Sequence, residues 1–196
     1  MKKKRNELGL NLSAGKEKRR ELDFYPTPPD ATIALMDFLD LPQSIIWEPA
    51  SGDGSMSEVI ESYGHRVIST DIRSEGIYGQ SGQDFLKVRY PNVDAIITNP
   101  PFNLAERFIR KATNEAKTVA MLLKSQYWHA ACRMSLFNYS RPAYILPLTW
   151  RPDFLFKERK NGKKGSPTME VLWAVWQRQA GGGQATHTMY QPLSRK

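Results

Sequence analysis

Short apolar segments recur along the chain, and turn residues and helical patterning separate most of them. The apolar segments predict strands at residues 45–48, 66–70, 93–98, 118–123, 143–146 and 169–176. Helices are predicted at residues 30–39, 55–63 and 127–138. Because strands that alternate with helices typically form parallel βαβ units, this pattern favours an α/β fold with a doubly wound, mostly parallel sheet.

The predicted strand at residues 93–98 leads directly into Asn99-Pro100-Pro101-Phe102. Proline has no backbone N–H and biases the residue before it toward an extended conformation, so Asn99 and Pro100 are kept out of a helix. The side-chain oxygen of Asn99 and the carbonyl oxygen of Pro100 can then each accept a hydrogen from one amine. This pair would favour alkylation of an aromatic amine, and Phe102 offers a surface on which a flat ring can stack. The alternative is a rigid turn that only ends the strand.

A glycine-rich turn follows the first predicted strand, in the segment IIWEPASGDGSM at residues 45–56. Open α/β sheets bind nucleotide-like ligands at such a turn, although a simple connection from strand to helix would look similar. Gly52 and Gly54 allow the backbone to turn tightly and to approach a ligand closely. Ser57 occupies the position of the third glycine of a dinucleotide fingerprint, and no Lys-Ser or Lys-Thr pair follows. The segment therefore matches neither a dinucleotide fingerprint nor a phosphate loop.

Two aspartates stand near the ends of later predicted elements. Asp71 follows Glu48 by 23 residues, close to the interval of roughly 20 residues at which a second carboxylate meets ribose hydroxyls. Asp84 could accept a hydrogen bond from an adenine amino group while the adjacent Phe85 lines the ring. Each also has a structural alternative, because aspartates often cap helices and Phe85 could belong to the core.

Together these segments resemble the class I S-adenosylmethionine-dependent methyltransferases, and the NPPF form resembles small DNA adenine-N6 methyltransferases of phages and prophages. The resemblance covers roughly residues 23–176. It implies a Rossmann-like, seven-stranded sheet with an antiparallel last strand, S-adenosylmethionine as cofactor, and Asn99 to Phe102 as the catalytic residues. A Thr-Pro motif at Thr27 would meet the methionine carboxylate. The residues that the resemblance assigns to the cofactor are Tyr25, Thr27, Glu48, Pro49, Ala50, Gly52, Gly54, Asp71, Ile72, Asp84, Phe85 and Asn99.

Positive charge is concentrated in two parts of the chain, whose formal net charge is +8. We expect a basic, flexible arm at residues 1–22, a methyltransferase domain at 23–178 with a basic loop at about 151–166, and a flexible tail at 179–196. Basic segments of this kind are typical of proteins that contact nucleic-acid phosphates, although the arm could also be a solvated extension. The residues expected to contact nucleic acid are Arg151, Lys157, Arg159, Lys160, Lys163 and Lys164.

Composition argues against several other classes of protein and site. With 196 residues and 40% hydrophobic content, the chain can bury one core. No apolar run approaches the roughly 20 residues that span a bilayer, so we expect a cytoplasmic protein of a bacterial or phage-infected cell. Cys132 is the single cysteine, which excludes an intramolecular disulfide, and its surroundings suggest a helix interior. The three histidines are scattered without ligand spacing, so no metal is expected.

Several substrates remain open. The resemblance favours adenine in DNA, where the target base must leave the duplex, and RNA adenine methyltransferases with the same tetrapeptide are the main alternative. Protein glutamine methyltransferases usually end the tetrapeptide with Tyr, and cytosine methyltransferases more often begin it with Ser or Asp, so Phe102 and Asn99 disfavour both. A non-catalytic nucleic-acid-binding protein on a methyltransferase fold is a further alternative. Because little of the chain remains for a target-recognition domain, we expect short or relaxed sequence specificity.

Overall fold

The structure of the chain, a computed structural model, describes residues 25–158, 167–179, 183 and 185–195. The strands in these ranges are β1 (Ile45–Glu48), β2 (Arg66–Ser69), β3 (Ala95–Thr98), β4 (Thr118–Lys124), β5 (Tyr144–Pro147), β6 (Val171–Gln177) and β7 (Met189–Tyr190). The α-helices are α1 (Pro29–Phe38), α2 (Ser55–Ser62), α3 (Ala105–Glu115) and α4 (Met134–Tyr139). The predicted N-terminal arm and residues 159–166 of the predicted basic loop lie outside the described residues.

The strands form one sheet in the order β2-β1-β3-β4-β6-β5-β7. Strands β2, β1, β3 and β4 pair in parallel, whereas β6 runs antiparallel to both β4 and β5. This topology confirms the predicted Rossmann-like, mostly parallel, seven-stranded sheet, and β6 is the predicted antiparallel strand. The carboxyl ends of β1, β3 and β4 consequently meet at one edge of the sheet, where open α/β sheets bind ligands.

The two faces of the sheet are covered by different helices, as the doubly wound prediction requires. Strand side chains alternate between faces, and β6 shows this clearly. Val171, Trp173 and Val175 share a buried cluster with α1 and α2, and the intervening residues of β6 share a second cluster with α3 and α4. The Trp173 Nε1 donates a 2.9 Å hydrogen bond to the Ala31 carbonyl, so α1 is fixed to the sheet by polar as well as apolar contacts.

The segment predicted as a flexible tail returns to the sheet within its described part. Strand β7 pairs in parallel with β5, although β5 lies more than 40 residues earlier in the chain. Beyond β7, the Leu193 N–H donates to the Pro147 carbonyl at 2.8 Å, and Thr149 donates back to Leu193 at 3.0 Å. The Leu193 side chain is buried. These bonds satisfy backbone groups that would otherwise remain unpaired along the edge of β5.

The helix predicted at residues 127–138 is wrong in its first half. The chain instead forms 3-10 turns at Ser125–Trp128 and Ala131–Arg133, and helix α4 begins at Met134. The Arg133 guanidinium donates a 2.5 Å hydrogen bond to the Tyr127 carbonyl. In a continuous α-helix this carbonyl would instead accept from the backbone N–H of Ala131. Cys132, predicted to lie in a helix interior, lies in the second of these turns and is exposed. Across the described part of the chain, none of the helices combines the length and apolar character needed to cross a bilayer.

Candidate active site

A cleft of about 800 Å3, including its open mouth, lies at the carboxyl ends of β1 and β3. The structure brings to this cleft most of the residues that the sequence assigned to cofactor and catalysis: Tyr25, Thr27, Glu48, Pro49, Ala50, Asp71, Ile72, Asp84, Phe85, Asn99, Pro100, Pro101 and Phe102. They come from five separate segments, so the sheet topology rather than local sequence assembles the site.

Gly52 and Gly54 shape the glycine-rich turn without lining the cleft themselves. Their φ angles are +56° and +85°, which residues with a Cβ adopt only with strain. A Cβ on Gly54 would lie 2.5 Å from Cγ of Tyr78, whose N–H donates to the Gly52 carbonyl at 2.8 Å. Tyr78 therefore packs tightly against the turn. Sequence reasoning missed this residue, because a lone tyrosine in an irregular loop carries no recognisable pattern.

Asp71 is buried in the lining of the cleft, where hydrogen bonds hold its carboxylate. One carboxylate oxygen accepts from the Gly52 N–H at 2.9 Å, and the other accepts from the Arg73 N–H at 2.9 Å and from Arg73 Nε at 3.2 Å. Next to it, Ile72 is 53% exposed and presents an apolar side chain to the cleft. Arg73 also lines the cleft and was not predicted. An arginine two residues after an aspartate is too common on protein surfaces to be recognised from sequence.

Glu48 is buried at the end of β1, and its carboxyl group is protonated over much of the neutral range. Burial is the largest cause and, together with the negative charges of Asp71 and Asp53, it raises the pKa of Glu48 to about 8. A hydrogen bond from Ser57 Oγ opposes these effects only in part, and Ser57 in turn contacts Ser69 Oγ at 2.7 Å. The predicted strand-end acid is therefore a neutral hydrogen-bonding group inside the fold at pH 7.

Asp84 and Phe85 line the cleft. Both also make contacts within the protein, as the structural alternative for these residues predicted. Asp84 accepts a 3.0 Å hydrogen bond from the Leu86 N–H and forms a 3.2 Å ion pair with Lys87. Phe85 is 2% exposed, and its ring centroid lies 4.5 Å from that of Phe108. Most of its ring is thus core, and a small part of its surface faces the cleft.

The Asn99–Phe102 tetrapeptide leaves the carboxyl end of β3 with both predicted acceptors open. Asn99 Nδ2 donates a 3.2 Å hydrogen bond to Oγ1 of the buried Thr27. Among the residues that the structure describes, no donor contacts either Asn99 Oδ1 or the Pro100 carbonyl oxygen, whereas the Pro101 carbonyl accepts from the Leu104 N–H at 2.9 Å. The first two oxygens can therefore accept hydrogen bonds from a ligand in the cleft.

The described part of the predicted basic loop reaches the cleft through one ion pair. Lys157 Nζ lies 2.6 Å from Asp53 Oδ2 on the glycine-rich turn, and Arg151 pairs with Glu170 at 2.6 Å. Burial opposes ionisation of Asp53, but hydrogen bonds from Lys157 and Ser55 outweigh it and hold the pKa of Asp53 below its ordinary value. The other four residues predicted to contact nucleic acid, Arg159, Lys160, Lys163 and Lys164, lie outside the described residues.

The histidines have no common site in the described part of the chain. His65 Nδ1 accepts a 3.3 Å hydrogen bond from the Ser44 N–H, and burial lowers the pKa of its imidazole. His129 and His187 are exposed on other elements. Within the described ranges, no group of three or more His, Cys, Asp or Glu side chains is arranged to hold a metal ion.

The fold is similar to several solved methyltransferase structures. A Pyrococcus horikoshii protein named as a proposed RNA methyltransferase aligns with a TM-score of 0.61 at 16% identity, over 80% of this chain and 87% of that one. A proposed class I S-adenosylmethionine-dependent methyltransferase of Listeria monocytogenes aligns with a TM-score of 0.60 at 14% identity, over 85% of this chain and 65% of that one.

A third structure, the modification subunit of a proposed type I restriction enzyme from Vibrio vulnificus, aligns with a TM-score of 0.55 at 13% identity. The alignment covers 86% of this chain and 47% of that one, so the chain spans about half of that subunit. No protein-family model and no curated protein sequence matches the chain. The chain has the fold of the class I S-adenosylmethionine-dependent methyltransferases.

Proposed function

We propose that the protein is an S-adenosylmethionine-dependent methyltransferase that methylates the 6-amino group of adenine in DNA, with short or relaxed sequence specificity. The observation that carries the proposal is the pair of open acceptors, Asn99 Oδ1 and the Pro100 carbonyl oxygen, in one cleft with Asp71 and Ile72. An amine that binds both acceptors lies beside the part of the cleft that suits an adenosyl group.

The residues of the cleft fit S-adenosylmethionine. The Asp71 carboxylate can accept hydrogen bonds from ribose hydroxyls, and the exposed side chain of Ile72 provides an apolar wall for the adenine ring. Asp84 can accept from the adenine amino group, and Tyr25 and Thr27 lie where the methionine part would extend toward Asn99. When bound, the cofactor supplies an electrophilic methyl group on its sulfonium.

Catalysis follows from how the tetrapeptide holds the substrate amine. An aromatic amine is a poor nucleophile because its lone pair is delocalised into the ring. Hydrogen bonds to Asn99 and Pro100 draw the nitrogen toward tetrahedral geometry and make the lone pair available. The Thr27 contact restrains the Asn99 amide, and Phe102 gives the target ring a stacking surface. Methyl transfer would break the bond between the methyl carbon and the sulfonium sulfur, which would leave as a thioether, and the cationic nitrogen would then lose a proton to water, so a strong base is not required.

Nucleic acid is the favoured substrate because the tetrapeptide resembles that of the DNA adenine enzymes and because Lys157 of the basic segment pairs with Asp53, which lines the cleft. The adenine amino group is paired inside a duplex, so the base must leave the stack to reach Asn99. RNA adenine is the second candidate, since the Pyrococcus horikoshii protein carries the name of an RNA methyltransferase.

Methyl transfer from labelled S-adenosylmethionine to duplex DNA, single-stranded DNA and RNA, followed by nucleoside analysis, tests the proposal. Wild type should form N6-methyladenine in DNA. The Asn99→Ala variant should lose at least about 100-fold in turnover, because it removes a hydrogen bond used during the reaction, yet bind the cofactor within about threefold of wild type. Asn103→Ala is the matched control, because Asn103 is exposed immediately after the tetrapeptide.

The outcomes separate the candidates. Label only in RNA would select the second candidate, and mapping of methylated sites in DNA would test the expected relaxed specificity. Cofactor binding without label in any nucleic acid would exclude both nucleic-acid substrates. Near wild-type turnover of Asn99→Ala would contradict the mechanism whatever the substrate.

A further inference from the structure

Lys124 places a positive charge directly beside the tetrapeptide. Lys124 is the last residue of β4. Strand β4 pairs in parallel with β3, and β3 leads directly into Asn99. Its Nζ lies 4.0 Å from the ring centroid of Phe102. An ammonium at this distance is attracted to the face of an aromatic ring, so Lys124 covers one face of Phe102. Phe102 also lines the catalytic cleft, so a target base in the cleft can contact its ring.

The charge of Lys124 is not neutralised by a neighbouring carboxylate. Its side chain is partly buried, and it forms no ion pair with any residue in the described part of the chain. Other cations around the cleft differ, because Arg73 pairs with Asp71 and Lys157 pairs with Asp53. A partly buried cation that lacks an anionic partner is poised to gain one from a ligand.

An open groove begins at the residue after Lys124. It occupies about 1170 Å3, including its open side, and runs past the carboxyl ends of β4 and β5. Its lining residues are Ser125, Pro147, Leu148, Thr149, Trp150, Arg151, Pro167, Glu170 and Val171. Lys124 therefore contacts Phe102 of the catalytic cleft and directly precedes Ser125 of this groove, which also carries Arg151, paired there with Glu170.

We propose that Lys124 binds the backbone phosphate of the target nucleotide while the target base stacks on Phe102. The strand then continues along the groove, where a phosphate would compete with Glu170 for Arg151. Lysine binds phosphate as a point charge, so it can retain its contact with the ring and donate its remaining N–H groups to the phosphate. Lys124 would thus contact the nucleic-acid backbone and position the target base beside Asn99, without contributing to sequence specificity. This inference rests on a nucleic-acid substrate, as proposed above.

The test compares two lysines at opposite ends of β4. Lys124→Met removes the charge and keeps most of the length of the side chain. Lys117→Met does the same to an exposed lysine immediately before β4, at the edge of the sheet remote from the cleft. The affinity of each protein for a labelled adenine-containing oligodeoxynucleotide would be measured by fluorescence anisotropy over a series of salt concentrations.

Loss of one phosphate contact should reduce the slope of log K against log salt by about 0.9 for duplex DNA or about 0.7 for a single strand. Lys124→Met should show this reduction and a higher KM for nucleic acid, with unchanged cofactor affinity and melting temperature. Lys117→Met should retain the wild-type slope, and Lys124→Arg should restore it. If Lys124→Met unfolds, Lys124→Gln provides the same comparison with a polar side chain.

Two results would overturn the inference in different ways. A wild-type slope in folded Lys124→Met, with methylation of nucleic acid by wild type intact, would show that Lys124 only packs on Phe102 and would leave the proposed function standing. Failure of wild type to bind or methylate any nucleic acid would remove the proposed substrate, and the inference with it.

Discussion

Gly54→Ala, compared with Gly64→Ala, tests how tightly the glycine-rich turn is packed. Both glycines have a φ of +85° and flank helix α2, so an added Cβ strains the backbone similarly at both positions. The surroundings differ. A Cβ on Gly54 would lie 2.5 Å from Cγ and 2.7 Å from Cβ of Tyr78, whereas a Cβ on Gly64 would meet nothing within 4 Å. The difference between the two variants therefore isolates the steric cost at Tyr78.

The magnitude follows from two contributions. An L-residue in the left-handed region costs about 1–2 kcal/mol, which is the full cost expected for Gly64→Ala. Overpacking adds about 1–3 kcal/mol, so Gly54→Ala should lose about 2–5 kcal/mol. Tyr78 cannot move aside easily, because its hydroxyl donates to Glu61 at 2.9 Å and its N–H donates to Gly52 at 2.8 Å.

Urea unfolding followed by tryptophan fluorescence would give the free energy of unfolding of both variants. A further substitution of Tyr78→Gly, which removes both Cβ and Cγ of Tyr78, should recover stability in the Gly54→Ala background and not in the Gly64→Ala background, because only the former carries the clash. Equal destabilisation by Gly54→Ala and Gly64→Ala would refute the argument that Tyr78 restricts the turn.

Two more substitutions test the cleft. Glu48→Gln should become more stable relative to wild type as pH rises from 4.5 through about 8, by at most about 5 kcal/mol in the free energy of unfolding. Folding raises the pKa of the Glu48 carboxyl group, so this group stabilises wild type fully below its pKa in the unfolded chain. Wild type loses that stabilisation as pH rises through the pKa of Glu48 in the folded protein. Urea unfolding at pH 5, 7 and 8.5 checks this, and a difference independent of pH would mean that the folded protein ionises Glu48 normally. Asp71→Asn should weaken cofactor binding by about 10–100-fold through loss of charged hydrogen bonds, measured by equilibrium dialysis; binding within twofold of wild type would contradict a ribose contact.

Local chemistry was sufficient to predict the framework of the protein. Strand β1 has the predicted bounds of Ile45–Glu48, because an apolar run that ends before Pro49 and a glycine-rich turn has few alternatives. The geometry of the tetrapeptide was equally predictable, since proline stereochemistry keeps Asn99 extended in almost any context. The order of strands and helices was enough to predict a mostly parallel sheet, which places the ends of β1 and β3 at one edge.

The tertiary structure decided every feature that depends on residues far apart in the chain. It broke the helix predicted at 127–138, paired β7 with β5, and set Lys124 against the ring of Phe102. It also decided the protonation of Glu48, because burial and neighbouring charges set the pKa of a carboxyl group, and neither is encoded in local sequence. Sequence alone determined the backbone preferences and the side-chain chemistry, whereas contacts, desolvation and charge required the folded chain.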